Sequence, residues 1–207
     1  MAQKLPPKIV ITGTHGTGKS TLVAALAEHY RARGLSVEIK REFGRRYVDY
    51  TGDAKRLQPG ASNPARQIIS LFHDVQEEYR AMAAKPDIVI CDRGVVDSLT
   101  YSLAVGEVYD AVDMAFTREL INGHVKTYDL VIRVPVEFAM PYDGVRPADI
   151  AFQAFIDAEM QKEWRDAGAN LRTVRGTIEE RVAQVVGMVA PLLPSAIKKR
   201  RPGPTPG

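Results

Sequence analysis

A run of β-formers, Lys8-Ile9-Val10-Ile11-Thr12, stops at Gly13, and an alanine- and leucine-rich stretch with helical spacing begins at Ser20. The residues that join them, Gly13-Thr14-His15-Gly16-Thr17-Gly18-Lys19-Ser20, fit G-x-x-x-x-G-K-[ST]. The three glycines let the loop turn with successive backbone N–H groups pointing inward, and the helix that follows aims its positive dipole end at the same point. Strand, loop and helix in this order make a phosphate cradle. In such a cradle Lys19 reaches the β/γ-phosphates and Ser20 offers a hydroxyl to Mg²⁺. His15, Thr17 and Thr21 complete the loop and first-turn residues expected against a nucleotide.

Four further strand-like runs, Val37–Lys40, Ile88–Cys91, Leu130–Val134 and Leu171–Val174, are separated by segments of helical character. Five strands alternating with helices predict an α/β fold. Ile88-Val89-Ile90-Cys91 is apolar at every position, as a strand of a parallel sheet is when helices cover both faces. Helices are expected from Ser20 to Arg33, ending at Gly34; from Pro64 to about Ala84, before Pro86; and from Asp149 to Ala167, stopping at Gly168. In the last, Phe152, Phe155, Ile156, Met160 and Trp164 read as one core-facing stripe.

The chain has 207 residues and is 45% hydrophobic, enough for one domain with one sizeable core. No apolar stretch approaches a bilayer span, and Met-Ala-Gln-Lys-Leu-Pro-Pro lacks the apolar centre of a secretory signal, so a cytoplasmic protein without membrane contact is expected. The single cysteine, Cys91, excludes an internal disulfide and a cysteine-built metal site; it reads as a buried thiol. The net charge of +3 is owed to Lys198, Lys199, Arg200 and Arg201, which precede a Pro/Gly end. Without them the body is near neutral. The expected organisation is therefore one domain over 1–193 and a basic, disordered tail over 194–207, a solvated end or a weak attachment to nucleic acid.

A second strand-end motif narrows the phosphate chemistry: Ile88-Val89-Ile90-Cys91-Asp92-Arg93-Gly94. Asp92, at the carboxyl end of its strand, points into the crevice beside the phosphates, where it holds Mg²⁺ directly or through water. It is also placed as an N-cap for the segment that starts near Val95. A hydrolytic ATPase usually has a second carboxylate next, to activate water; here Arg93 follows, suited to gripping phosphate or acceptor oxygens. No Asn/Thr-Lys-x-Asp guanine motif stands at a strand end.

On these residues the chain resembles the P-loop nucleoside and nucleotide kinases, in particular the ribosylnicotinamide-kinase-like branch, with thymidylate kinase and deoxynucleoside kinases as more distant relatives. The resemblance covers residues 8–190. It is carried by Gly13–Ser20, by Arg41-Glu42-Phe43, by Asp92-Arg93-Gly94 with Asp97 and Tyr101, and by Arg172–Thr177 with Glu180-Arg181. It implies a P-loop NTPase fold with sheet order 2-3-1-4-5, ATP as donor, adenine against Arg175-Gly176-Thr177, and a mobile lid after the fourth strand. The lid is also legible as the turn-rich stretch at about 135–148, with Arg146 placed to swing over the transferring phosphate.

On the acceptor side, Glu42 is the candidate general base, or else a carboxylate paired with Arg41, Arg45 or Arg46. Arg45 and Arg46 are placed to grip an acceptor phosphate. Phe72 and Gln76, one helical turn apart, read as a base-stacking ring and an edge-reading amide, or Phe72 as core. His15 and His73 have no second ligand at metal-binding spacing. Three functions stay open: phosphoryl transfer from Mg²⁺-ATP to a nucleoside- or nucleotide-like small molecule, the same transfer to a nucleic-acid end or modified base, and an ATP-dependent switch for a protein partner. The chain is expected as a monomer or homodimer.

Overall fold

The computed structural model describes residues 5–42, 64–104, 110–137 and 150–194. Along these run β1 (Lys8–Thr12), α1 (Lys19–Arg31), β2 (Val37–Lys40), α2 (Pro64–Ala83), β3 (Ile88–Asp92), α3 (Val95–Ala104), α4 (Ala111–Val125), β4 (Leu130–Arg133), α5 (Ile150–Asp166), β5 (Leu171–Thr173) and α6 (Ile178–Val189). The strands form one parallel sheet in the order β2-β3-β1-β4-β5. This is the α/β fold, and the strand order, that the sequence and its resemblance led one to expect.

Each central strand is apolar throughout because its two faces feed two cores. Ile9, Ile11, Ile88, Ile90 and Ile132 pack with Leu22, Val23 and Leu26 of α1 and Val185 and Val189 of α6. Val10, Val89, Cys91 and Val131 turn the other way, to Leu71, Leu99, Ile121, Ile156 and Trp164 of α2, α3, α4 and α5. The Cys91 thiol is fully buried, which pushes its pKa well above that of a free thiol.

The second core carries a buried polar knot. Glu78 on α2 lies 2.8 Å from Lys8 Nζ and 2.7 Å from His124 Nε2, and accepts a hydrogen bond from Tyr128 Oη at 2.8 Å. Lys8 Nζ also sits 4.7 Å from the centre of the Tyr128 ring. One turn earlier on α2, Asp74 pairs with Lys40 at 2.6 Å, and Lys40 in turn donates to Arg93 O at 3.4 Å. The knot ties β1, β2, α2 and α4 together, from Lys8 at the amino end of β1 to the Arg93 carbonyl just past β3.

The α5 stripe needs one correction. Ile156, Met160 and Trp164 are fully buried, but Phe155 is exposed and Gln153 is buried in its stead. Successive residues turn by about 100° on a helix, so the row Phe152, Ile156, Met160, Trp164 is continuous at i, i+4 and Phe155 falls off its edge. Among the described residues, no helix is long and apolar enough to cross a membrane.

Candidate active site

The sheet's carboxyl edge gathers the functional side chains. Gly13 follows β1 with φ +141°, and a Cβ there would stand 2.4 Å from Val134 O, so the chain passes β4 at a distance only glycine allows. Gly18 caps α1 without a side-chain bond, and the first turn contains no acidic residue. The amides of that turn therefore stay available to an anion, and the exposed Thr21 lies among them. Thr17 Oγ1 donates to Thr14 O at 3.1 Å, and Lys19 Nζ bonds to the same carbonyl. Burial, and after it the Arg93 guanidinium, holds the Lys19 ammonium down to about 7. A buried lysine with a depressed pKa, folded onto its own loop, is poised to exchange a carbonyl for phosphate oxygens.

Ser20 Oγ donates to Asp92 Oδ2 at 2.9 Å, so the loop hydroxyl and the strand-end carboxylate meet as the spacing predicted. Asp92 does not cap α3. That helix starts at Val95, and it is Asp97 in its first turn that reaches back to accept from Gly94 N at 3.1 Å.

Arg93 adopts φ +68°, the left-handed region that a residue with a side chain enters only when its surroundings hold it there. Those surroundings are specific. Its Nε lies 2.8 Å from Glu42 Oε1, its Nη1 donates to Gly13 O and to Asp97 Oδ1, each at 3.3 Å, and its guanidinium stacks 4.9 Å from the Tyr101 ring centre. Glu42 is thus paired with Arg93 across the crevice. Burial would lower the Arg93 pKa, but Glu42, Tyr101 and Asp97 outweigh it and raise it well above the usual value.

Asp97 itself is 1% exposed. Its oxygens are taken by Thr12 Oγ1 at 2.9 and 3.0 Å, by Gly94 N and by Arg93, while Thr12 Oγ1 also accepts from Trp164 Nε1 at 2.9 Å. Asp97, read from sequence as a substrate contact, has both carboxylate oxygens engaged behind Arg93. Tyr101 reaches the phosphate loop, where its hydroxyl accepts from His15 N at 3.1 Å, and Gln153 Nε2 donates to His15 O at 2.7 Å. His15 Nδ1 lies 3.2 Å from Thr14 Oγ1.

Beyond β5, Gly176 has φ +94°, and a Cβ there would stand 2.1 Å from Glu180 Oε2. Thr177 N-caps α6 in a reciprocal pair with Glu180. Glu137, just past β4, accepts from Gly176 N at 3.0 Å, Arg175 Nη1 at 3.2 Å and Arg181 Nη2 at 2.8 Å, and Arg181 Nη1 donates to Thr17 O at 2.9 Å. Desolvation pushes Glu137 up, but the Gly176 amide and the two guanidinia prevail and hold its carboxyl below the usual range.

Phe72 is 48% exposed beside Phe116, with ring centres 6.3 Å apart, and Gln76 is exposed one turn on; Phe72 is not a core residue. Arg45, Arg46, Arg146 and the 198–201 cluster lie outside the described residues. Sequence reading passed over Thr12, Gln153 and Glu137, and took Arg181 only as part of the resemblance. Their partners are far away in the chain, and no local spacing marks them.

Comparison with known proteins bears on the family and the fold. The family model for the AAA domain matches residues 8–181. The thymidylate kinase of Caulobacter vibrioides is 24% identical over 203 residues, covering 87% of this chain and 97% of the relative. Among solved structures, the NadR protein in complex with NAD and AMP-PNP superposes with a TM-score of 0.64 at 18% identity, over 90% of this chain and 49% of that one, so this chain spans about half the length of NadR. Deoxyadenosine kinase from M. mycoides with bound dATP gives 0.56 at 17% identity, over 88% and 99%. The superpositions share the fold. With the family match running from β1 into α6 and taking in the whole phosphate loop, this chain belongs to the AAA domain family of P-loop proteins.

Proposed function

We propose that this protein moves the γ-phosphoryl group of Mg²⁺-ATP to a small nucleoside- or nucleotide-like acceptor. Arg93 carries the reading: a guanidinium, rather than a second carboxylate, follows Asp92, and it is buried within reach of the phosphate loop. Hydrolysis needs a group to activate water, whereas transfer needs positioning and charge stabilisation, which a fixed guanidinium supplies. The kinase relatives, and the nucleotide ligands named with NadR and deoxyadenosine kinase, support the same substrate class.

Ser20 and Asp92 fit a magnesium ion. Their oxygens are 2.9 Å apart, and Asp92 Oδ1 is buried without a hydrogen-bond partner among the described residues. Mg²⁺ commonly takes one or two carboxylates and fills its shell with water and phosphate oxygens, so no larger acidic cluster is needed. When bound, it neutralises charge on the phosphate oxygens.

The loop amides of Gly13, His15, Gly16, Thr17 and Gly18, with Lys19, Ser20 and Thr21, hold the triphosphate. Arg93 takes charge from the transferring oxygens, and Glu42 accepts the proton of the attacking hydroxyl as the γ-phosphorus bond to the ADP oxygen breaks. Asp97 keeps Arg93 aimed. Gly176 and Thr177 flank the base. Arg45, Arg46 and Arg146 belong to the same proposal as acceptor and lid cations, and Phe72 and Gln76 as acceptor-base contacts.

Incubation with γ-labelled ATP and a panel of nucleosides, ribosylnicotinamide and nucleoside monophosphates tests it. Label is expected to pass to at least one acceptor. Phosphate release that no acceptor alters would overturn the proposal.

A further inference from the structure

In the proposed function Gly176 and Thr177 flank the base, in the loop that follows β5 at the far edge of the sheet from β2. There the three amides of Arg175-Gly176-Thr177 are all engaged by side chains. Arg175 N donates to Gln184 Oε1 at 3.4 Å, Gly176 N to Glu137 Oε2 at 3.0 Å, and Thr177 N to Glu180 Oε2 at 2.8 Å. Two of the three carbonyls are engaged as well, Arg175 O by Gln184 Nε2 at 2.8 Å and Thr177 O by Arg181 N at 3.0 Å. Gly176 O is left over; no hydrogen bond from the described residues reaches it. Along its main chain this loop offers a base edge a free acceptor and no free donor.

That asymmetry discriminates between purines. A 6-amino group donates to a free carbonyl, whereas a 6-keto group confronts it with a second acceptor and finds no N–H. The Gly176 amide, on the same residue as that carbonyl, is the main-chain donor that would reverse the preference if it were free. Glu137 is what occupies it, and Glu137 is itself fixed by Arg181, which is bonded to the phosphate loop through Thr17 O. We infer that Glu137, by engaging the Gly176 amide, sets the donor site's preference for a 6-amino over a 6-keto purine. The inference rests on the reading of the loop as a nucleoside triphosphate site, and it makes Glu137 a specificity-determining residue outside the phosphate-binding and transfer machinery.

Calorimetry separates the two levels, with ATP, ITP, GTP and inorganic tripolyphosphate as probes against wild type, Glu137→Ala and Glu137→Gln. Wild type is expected to bind ATP at least about tenfold more tightly than ITP or GTP, the cost of one mispaired polar contact. Glu137→Ala frees the amide, so ITP and GTP gain and the ratio falls to within about threefold, while tripolyphosphate affinity stays unchanged. Glu137→Gln keeps an oxygen where Oε2 accepts from both Gly176 N and Arg181 Nη2, and turns its amide toward the exposed Arg175, so the wild-type ratio is retained. Should the alanine protein fail to fold, Glu137→Asp, one methylene too short to reach Gly176 N, carries the same expectation as alanine. A wild type indifferent to the 6-substituent, or an unaltered ratio in folded Glu137→Ala or Glu137→Asp, overturns the inference while leaving tripolyphosphate binding intact. Loss of tripolyphosphate binding in wild type would sink the triphosphate reading and this inference with it.

Discussion

Lys19 shows how a single residue reports on its site. Burial and Arg93 together hold its ammonium down to about 7 in the free protein, and a polyphosphate beside it favours the charged form. The sign of the linkage follows. At about pH 8 the free protein holds Lys19 mostly neutral, so nucleotide binding takes up a proton and affinity falls as pH rises above about 7. At about pH 6 the ammonium is already charged and uptake vanishes. Titration of ATP in two buffers of different protonation enthalpy measures this; equal heats in both near pH 8 would contradict it. A second residue-level expectation concerns Gly13, whose Cβ would collide with Val134 O. Gly13→Ala should cost about 1–3 kcal/mol of stability, read by denaturant unfolding, because two backbones must part. The placement of Lys19, Ser20 and Asp92 at the sheet's carboxyl edge was legible in the sequence because each stands at a strand end or a helix start, positions that local patterning marks. Glu42 was legible only as a carboxylate near the crevice. Its partner, Arg93, lies on another strand end, and only the folded sheet brings the two together.

Among the elements, α5 departs most from its sequence pattern. Its apolar row was readable from the i, i+4 spacing of Ile156, Met160 and Trp164, yet the same face admits a buried glutamine. Gln153 is tolerated there because His15 O accepts its amide hydrogen, which ties the helix to the phosphate loop. Gln153→Leu should therefore weaken nucleotide binding about three- to tenfold, by releasing His15, and lower Tm by only about 2–4 °C. Phe155→Ser, on the exposed side, should change neither by a measurable amount. Calorimetry and thermal melting of the two variants check the pair, and wild-type affinity in Gln153→Leu would refute the strut. The strand ends, and the limits of α1, α2 and α5, were read to within a residue or two, because Gly34, Pro86 and Gly168 punctuate the chain. The burial of Asp97 was not legible, because a carboxylate one turn beyond Arg93 looks the same in sequence whether it faces the crevice or the core.

Across the whole molecule, the second core is joined to the site through buried charge. Glu78 is fully buried, and although burial raises its pKa, the His124 hydrogen bond and the Lys8 charge prevail and lower it. A carboxylate depressed in the folded state contributes stability above its unfolded pKa and loses that contribution as pH falls through the folded value, so this share of stability should fade below about pH 4. Glu78→Leu strands Lys8 and His124 in the core and should cost about 3–5 kcal/mol, or roughly 10 °C in Tm, measured by melting at neutral pH. The α/β class was legible from alternating apolar runs, and the strand order from the resemblance to P-loop kinases. The polar knot was not, since Lys8, Glu78 and His124 each look like surface residues until the fold encloses them. The proposed function is transfer instead of hydrolysis, and the most direct measurement of it is the partition of γ-label between acceptor and water, in wild type and in Arg93→Met. We predict that wild type sends most label to an acceptor and that Arg93→Met lowers that rate by about 10³-fold or more without raising phosphate release. An Arg93→Met protein that transfers label at the wild-type rate, or a wild type that only hydrolyses ATP whatever acceptor is present, would contradict it.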